Sequence, residues 1–315
     1  SSAASDVYKR QALGTFALHP IDRAYCYEHI PTGTPDDRPV AQAIPRYTRH
    51  ALNWRAADFY RQERKPQDDW NTIEDVAAQL AEFEHLCEAE DYDSAAELAI
   101  LLNDDYLFVW GQYARLIAMH RRLEGHIHNR ALARRVSFGA SQVYISTGDM
   151  VQAIVLCEAA LITAREDGSR KDEAIALNNL GGAYLNSNQI SRALASYEQA
   201  IPISRELGDR QREGRQLGNI GTAYYYLVQM ERAIEYYEQA LVIAREVGDR
   251  MAISTHLSNL AEAYTDLGQF ERALPISEQA LALARDMNET LGQSMILGNI
   301  GSTRIQLGQH VQACL

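Results

Sequence analysis

The sequence predicts an all-α fold, a right-handed solenoid of antiparallel helix hairpins, and three observations predict it. A 40-residue period runs without gaps from about Ala131 to the last residue. Its columns hold their residue type: Tyr144, Tyr184, Tyr224 and Tyr264 in one, Ala153, Ala193, Ala233, Ala273 and Ala313 in a second, Glu158, Glu198, Glu238 and Glu278 in a third. Within each copy, apolar residues recur twice at three- and four-residue steps with a break between, the pattern of two helices. A fixed period in this range marks a solenoid. Stacked units of that kind make an extended concave surface, suited to binding rather than to catalysis.

The elements follow in order. Ser5 to Gln11 resembles a translated sequencing adapter, so residues 1–11 are set aside as non-native. Residues 12–45 end in a Pro-, Gly-, Thr- and Asp-rich stretch, Pro31–Pro45, that reads as a linker or long loop. Residues 46–130 read as degenerate helical hairpins: an amphipathic helix Ile73–Ala89, a second start at Asp91–Leu98, and a long helix Tyr106–Leu123 that includes Trp110. Atypical end units are expected of a repeat array. Four full copies occupy 131–170, 171–210, 211–250 and 251–290, and a partial fifth occupies 291–315. Both ends of the chain read as the ends of a fragment.

The copy 211–250 serves as the type. Leu217, Ile220, Tyr224 and Leu227 mark one helix face, and Ala233, Ile234, Tyr237, Ala240, Leu241 and Ala244 mark the next. Gly148, Asn188 and Gly268 stand at the column of Val228, as a helix stop should. Gly168, Gly208 and Gly248, with Asn288 in the fourth copy, close the second helix as left-handed C-cap residues. Small residues at Gly221, Ala223, Ala233 and Ala240 allow close backbone approach, and Leu217, Ile220, Tyr224, Tyr237 and Leu241 fill the space beside them. The Arg165-Glu166, Arg205-Glu206 and Arg245-Glu246 pairs, and the Asp-Arg pairs after the glycines, read as solvated surface of little energetic consequence.

Composition narrows the function. A hydrophobic content of 46% is ample for burial, and a net charge of −12 argues against nucleic-acid binding. Cys26, Cys87, Cys157 and Cys314 are scattered without a Cys-x-x-Cys pair, which reads as reduced thiols in a cytoplasmic protein. No secretory signal and no membrane-length apolar run is visible, so no membrane partner is expected.

Leu217, Ile220, Gly221, Tyr224, Ala233, Tyr237 and Ala240 resemble the W-x2-L-G-x2-Y…A-x3-F…A pattern of the tetratricopeptide repeat, with 40 residues in place of the usual ~34. The resemblance covers residues 131–315 and matches the long-repeat branch found in scaffold proteins and in bacterial signalling ATPases. Upstream, Phe16-Ala17-Leu18-His19-Pro20-Ile21-Asp22 resembles the end of the winged-helix domain of NB-ARC-type signal-transducing (STAND) ATPases. That resemblance implies a nucleotide-sensing role for His19, with Pro20 where the family often has Asp. The stretch from Ala56 to Asp75 also resembles the segment that joins such ATPases to long repeats. The chain contains no G-x-x-x-x-G-K-[ST] phosphate loop, so an ATPase activity would belong to a parent protein.

One column stands out as a candidate site: Asn179, Asn219, Asn259 and Asn299, with Gly139 in the first copy. Each amide offers a donor and an acceptor, which matches a peptide group. In some members of the repeat family, asparagines at this column line the inner groove and bind an extended peptide. The same residues could equally bond to the neighbouring repeat and set the superhelix. Tyr225, Tyr226, Glu262, Thr265 and Asp266 lie one turn away; aromatic groove residues are plausible anchors, and Tyr225 could instead cover the seam between repeats. His120, His126 and His128 with Glu124 read as a solvated loop rather than a metal site. No catalytic constellation and no cofactor is expected. The sequence thus points to a non-catalytic protein- or peptide-binding array, the sensor part of a bacterial signal-transducing ATPase that could oligomerise in full length. A stand-alone cytoplasmic adaptor is the alternative.

Overall fold

The structure, a computed structural model, describes residues 30–34 and 48–308. His19, Cys26, Cys314, the adapter-like residues 1–11 and most of the linker lie outside the described residues. The described residues fold into helices alone, and the chain divides into two compact units at Val136/Ser137.

In the first unit, α1 (Arg49–Gln62) is N-capped by Thr48, whose hydroxyl accepts from the Ala51 N–H at 3.2 Å. α2 (Ala77–Glu88) and α3 (Tyr92–Leu102) follow, and Asp91 caps α3. The amphipathic stretch expected from Ile73 begins as a 3-10 turn, Ile73–Val76, fixed by a capping box between Thr72 and Asp75. The long helix expected over Tyr106–Leu123 is broken. A π-helical turn, Asn103–Leu107, is followed by Gly111 at φ 68°, and α4 starts only at Tyr113 and runs to Leu123. Apolar spacing through the break is helical, but the left-handed glycine resets the chain direction. Trp110 therefore sits in a turn, where Tyr106 packs edge-on against both Trp110 and Trp70 at centroid distances of 5.6 and 4.8 Å.

The second unit is a stack of hairpins. α5 (Arg130–Thr147), which contains the boundary, and α6 (Met150–Glu166) form the first. α7 (Arg170–Asn186) and α8 (Ile190–Glu206), α9 (Arg210–Tyr226) and α10 (Met230–Val247), and α11 (Arg250–Asp266) and α12 (Phe270–Asp286) form the next three. α13 (Thr290–Gln306) begins a fifth. From α7 on, each helix packs on the next. Two cores merge large residues across the repeats: Tyr184, Tyr197, Leu217 and Ile220 in one, Tyr237, Leu257, Leu260 and Tyr264 in the other.

Close approach is literal at Gly181 and Gly221. A Cβ on Gly181 would lie 2.5 Å from the Tyr197 ring, and one on Gly221 would lie 2.7 Å from Tyr237 and 3.2 Å from the Ala233 carbonyl. The hairpin stops behave as their column predicts, with Gly148, Asn188, Val228 and Gly268 all at positive φ. Val228 is the exception in residue type: a β-branched side chain held at φ 58°, which is strained backbone.

The charged pairs expected to be idle surface are structured. Asp209 and Asp249 are N-caps, accepting from Arg212 N–H at 2.9 Å and Ala252 N–H at 3.0 Å. Arg165 and Arg205 reach forward eight residues to buried carboxylates, Glu173 at 2.8 Å and Glu213 at 2.7 Å. Arg170 and Arg210 clasp the same carboxylates and also bond Glu206 and Glu246 of the following helix. A Glu in the first turn of a helix is ordinarily solvated, so the sequence does not mark these two as buried. Here two guanidiniums per carboxylate make burial tolerable and hold the Glu173 pKa down despite burial.

Candidate functional site: the first-helix face of the array

The first helix of each hairpin turns its leucine, isoleucine and tyrosine columns into the stack. The asparagine column lies one residue before Leu180, Ile220, Leu260 and Ile300, on the flank of that buried stripe. Asn219, Asn259 and Asn299 are half-buried there, so their amides can reach both neighbours and solvent, whereas Asn179 is buried.

At the N-terminal end the amides form a chain across three repeats. Asn219 Nδ2 donates to Asn178 Oδ1 at 3.3 Å, Asn178 Nδ2 donates to Asn179 Oδ1 at 3.5 Å, and Asn179 Nδ2 donates to Ser141 Oγ at 3.5 Å. Ser141 in turn donates to the Phe138 carbonyl at 2.8 Å. Asn179 is buried and Asn219 half-buried. Asn259 is also half-buried, but its side chain makes no hydrogen bond among the described residues. At Asn299 the backbone carbonyl accepts from Thr303 Oγ1 at 2.8 Å. The four asparagines therefore share a column and a face, but only Asn179 and Asn219 are linked, and they are linked through Asn178. The signal for Asn178 was its adjacency to Asn179. Its column (Phe138, Asn178, Gly218, Ser258, Gly298) keeps no residue type, so reading by column passed over it.

One turn further along, Tyr225, Tyr226, Glu262 and Asp266 come together. Tyr225 Oη donates to Asp266 Oδ2 at 2.6 Å, from one repeat to the next. Tyr226 stands edge-on to Tyr225 at 6.0 Å and is 56% exposed. Partial burial and then the Asp266 charge push the Glu262 pKa up; burial and the bond to Asp266 push Tyr225 up. Both sides of this corner thus resist a further negative charge. Thr265 bonds across the next seam to Thr303 at 3.2 Å. Tyr225 thus bridges two repeats through Asp266, while Tyr226 presents an open ring.

Three further sets of contacts are not legible in the sequence. Arg192, Arg232 and Arg272 lie over the rings of Tyr184, Tyr224 and Tyr264 at 4.0, 5.3 and 4.1 Å, which locks each hairpin turn. The glutamate column bonds those tyrosines from the preceding repeat, Glu158 to Tyr184 at 2.8 Å and Glu238 to Tyr264 at 3.3 Å. His256 is buried over Gly218, where a Cβ would lie 2.2 Å from its ring, and neither ring nitrogen has a partner among the described residues. Burial pulls its pKa down to about 4.

His126 stacks on Tyr92 at 4.5 Å, and no group of three metal-ligating side chains occurs among the described residues. No described helix is long and apolar enough to cross a membrane. Cys87 and Cys157 are free and buried.

Comparison with known proteins agrees with this architecture. The tetratricopeptide repeat family profile matches residues 130–206 and 216–286. No curated protein sequence matches the chain. Among solved structures, BtubC (BKLC) from P. vanneervenii superposes with a TM-score of 0.54 at 22% identity, over 64% of this chain and 84% of that one. A signal transduction ATPase with numerous domains and a tetratricopeptide repeat sensor, from Pyrococcus horikoshii, gives 0.60 at 18% identity over 84% of this chain, which spans 39% of the ATPase. A Rap protein complexed with Competence and Sporulation Factor gives 0.57 at 13%, over 84% and 89%. At these identities the likeness is one of fold. The columns, the stacked hairpins and the profile match together identify residues 130–286 as an array of tetratricopeptide repeats.

Proposed function

We propose that the first-helix face of the array binds an extended segment of a protein partner, and that the chain is the sensing part of a bacterial signal-transducing ATPase of the NB-ARC type. The observation that supports binding is the row of amides at one repeat's spacing, Asn179, Asn219, Asn259 and Asn299, flanked by the open Tyr226 ring and the Glu262–Asp266 pair. An amide row can bond a peptide backbone by donor and acceptor together, and an exposed aromatic beside it can anchor one side chain. The Rap protein of similar fold, solved with Competence and Sporulation Factor, is in keeping with such use.

Asn259 is the discriminating residue, because its amide is not engaged by its neighbours. A peptide array probed with the whole chain identifies ligands, and fluorescence anisotropy then measures them. Asn259→Ala is expected to weaken the best peptide by about 5- to 10-fold, the loss of about one hydrogen bond, with an unchanged melting temperature. Equal affinity of the two proteins for every peptide would assign the column to packing alone.

The ATPase reading rests on the resemblance around His19 and on the likeness to the Pyrococcus horikoshii protein, of which this chain spans 39%. In that reading His19 senses nucleotide, the parent works in the cytoplasm, and partner binding restrains or releases ATP hydrolysis. The gene sequence upstream of residue 12 tests it: a phosphate-loop motif is expected there. The adaptor reading draws on one observation, that the chain spans 84% of BtubC, and an upstream start codon without a phosphate loop would favour it.

A further inference from the structure

The first unit holds a cavity of about 290 Å3, open to solvent, between the end of α1, α2 and one face of α3. Its chemistry is unlike that of the amide row. Arg61 and Arg64 stand on one side, Ser94 and Glu97 on the other, and Leu98 and Leu101 form an apolar wall. Ser94, Glu97, Leu98 and Leu101 share a helix face because they are spaced at three and four residues.

The two arginines are aimed by a carboxylate behind them. Glu82 is fully buried; its Oε1 accepts from Arg61 Nε at 2.9 Å and its Oε2 from Arg64 Nε and Nη2 at 2.7 Å. Arg61 Nη1 is held by Asp58 at 2.9 Å. Arg61 Nη2 and Arg64 Nη1 have no partner among the described residues. The forks are thus ordered before any ligand arrives, which lowers the cost of ordering them on binding.

Charge decides the ligand. Two guanidiniums meet three carboxylates, Asp58, Glu82 and Glu97, so a bare anion gains little. A small zwitterion suits both sides: a carboxylate for the outward edges of Arg61 and Arg64, an ammonium for Glu97, and an apolar body for Leu98 and Leu101. The volume stands at the lower end of ligand cavities and fits a body of one residue.

We infer that this cavity binds a free α-amino acid with an apolar side chain, at a site separate from the proposed peptide face. Isothermal titration of the whole chain with L-leucine is expected to show one site. Leucinamide, which lacks the carboxylate, and N-acetyl-leucine, which lacks the ammonium, are each expected to bind about 10-fold or more weakly, as the loss of one charged hydrogen bond implies. Glu97→Gln is expected to abolish the preference for leucine over N-acetyl-leucine, and Leu101→Glu to remove binding. Both positions are exposed, so neither substitution endangers the fold, and circular dichroism checks that. No heat with 10 mM leucine, equal binding of leucinamide, an unchanged Leu101→Glu variant, or saturable binding of inorganic phosphate without leucine would each overturn the inference. N-acetyl-leucine binding as well as leucine would also overturn it, in favour of a peptide C-terminus.

Discussion

Residues 48–136 and residues 137–308 are both built of packed helices, yet they are held in different ways. In the array one contact is written several times. Arg192, Arg232 and Arg272 cover three equivalent tyrosines, Arg165 and Arg205 seek equivalent glutamates, and an N-cap opens α7, α9, α11 and α13 alike. In the first unit each contact is single: Glu82 between two arginines, Asn53 bonded to His85 at 2.9 Å, Trp70 and Trp110 against Tyr106. Repetition makes stability a sum of units and their neighbours. A set of single contacts has no such redundancy, and the helices that share them must form together.

The strongest way to break this comparison is to empty one core position in each region. Tyr237→Ala and Trp54→Ala are each expected to cost about 3–5 kcal/mol, since both side chains are at most 4% exposed. Hydrogen exchange should then separate them. Tyr237→Ala raises exchange across α9–α12 and spares α1–α3, and Trp54→Ala does the reverse. If either variant loosens the whole chain at once, the two regions are one cooperative body.

Acid should find the seam between α9 and α11 next. The His256 pKa lies near 4 in the folded chain against 6.5 for a free imidazole, because burial disfavours the cation. The unfolded chain takes up the proton first, so stability is full above about pH 6.5 and falls as pH drops toward 4. The loss is on the order of 2–3 kcal/mol. Chemical denaturation at pH 7 and pH 4.5 measures it, and His256→Ile, which installs the residue type of Ile296 in the next repeat, should flatten the difference. An unchanged slope would place the acid response elsewhere.

Caps sharpen the comparison at smaller scale. Asp209→Ala and Asp249→Ala should each lose about 1 kcal/mol with the cap, and Asp249→Ala should lose more, because Asp249 also accepts from Gln211 at 2.8 Å and pairs with Arg215 of the preceding repeat. Equal losses in melting experiments would show that only the shared cap contributes. The smallest effect is a gain: Val228→Gly relieves a β-branched residue at positive φ, and should stabilise by about 0.5–1 kcal/mol in a denaturant titration.

Much of this was legible in the sequence where a residue type recurs. Tyr184, Ala193, Gly221 and the positive-φ stops lie where their columns put them, because a column repeats one packing environment. Reading failed where a residue acts once. Gly111 broke a helix that spacing alone would continue, and Glu82 carries no local mark of a buried carboxylate. It also failed for charges: Glu173 and Glu213 look like solvated first-turn glutamates until Arg165 and Arg205 are seen to arrive from the preceding helix. Of the amide row, the column was visible but its bonding was not, since Asn178 joins it from a column of mixed type.

Periodicity by itself determined the fold class, the hairpin as the unit, the small-to-large packing and the places where helices stop, because each depends on local spacing and on backbone preference. Tertiary structure alone decided which polar groups meet. It engaged Asn179 and Asn219 and left Asn259 open, buried His256 over Gly218, and set Arg61 and Arg64 in front of Glu82. Hydrogen bonds and charge pairs between helices depend on distances across residues far apart in sequence, and no local pattern records those distances.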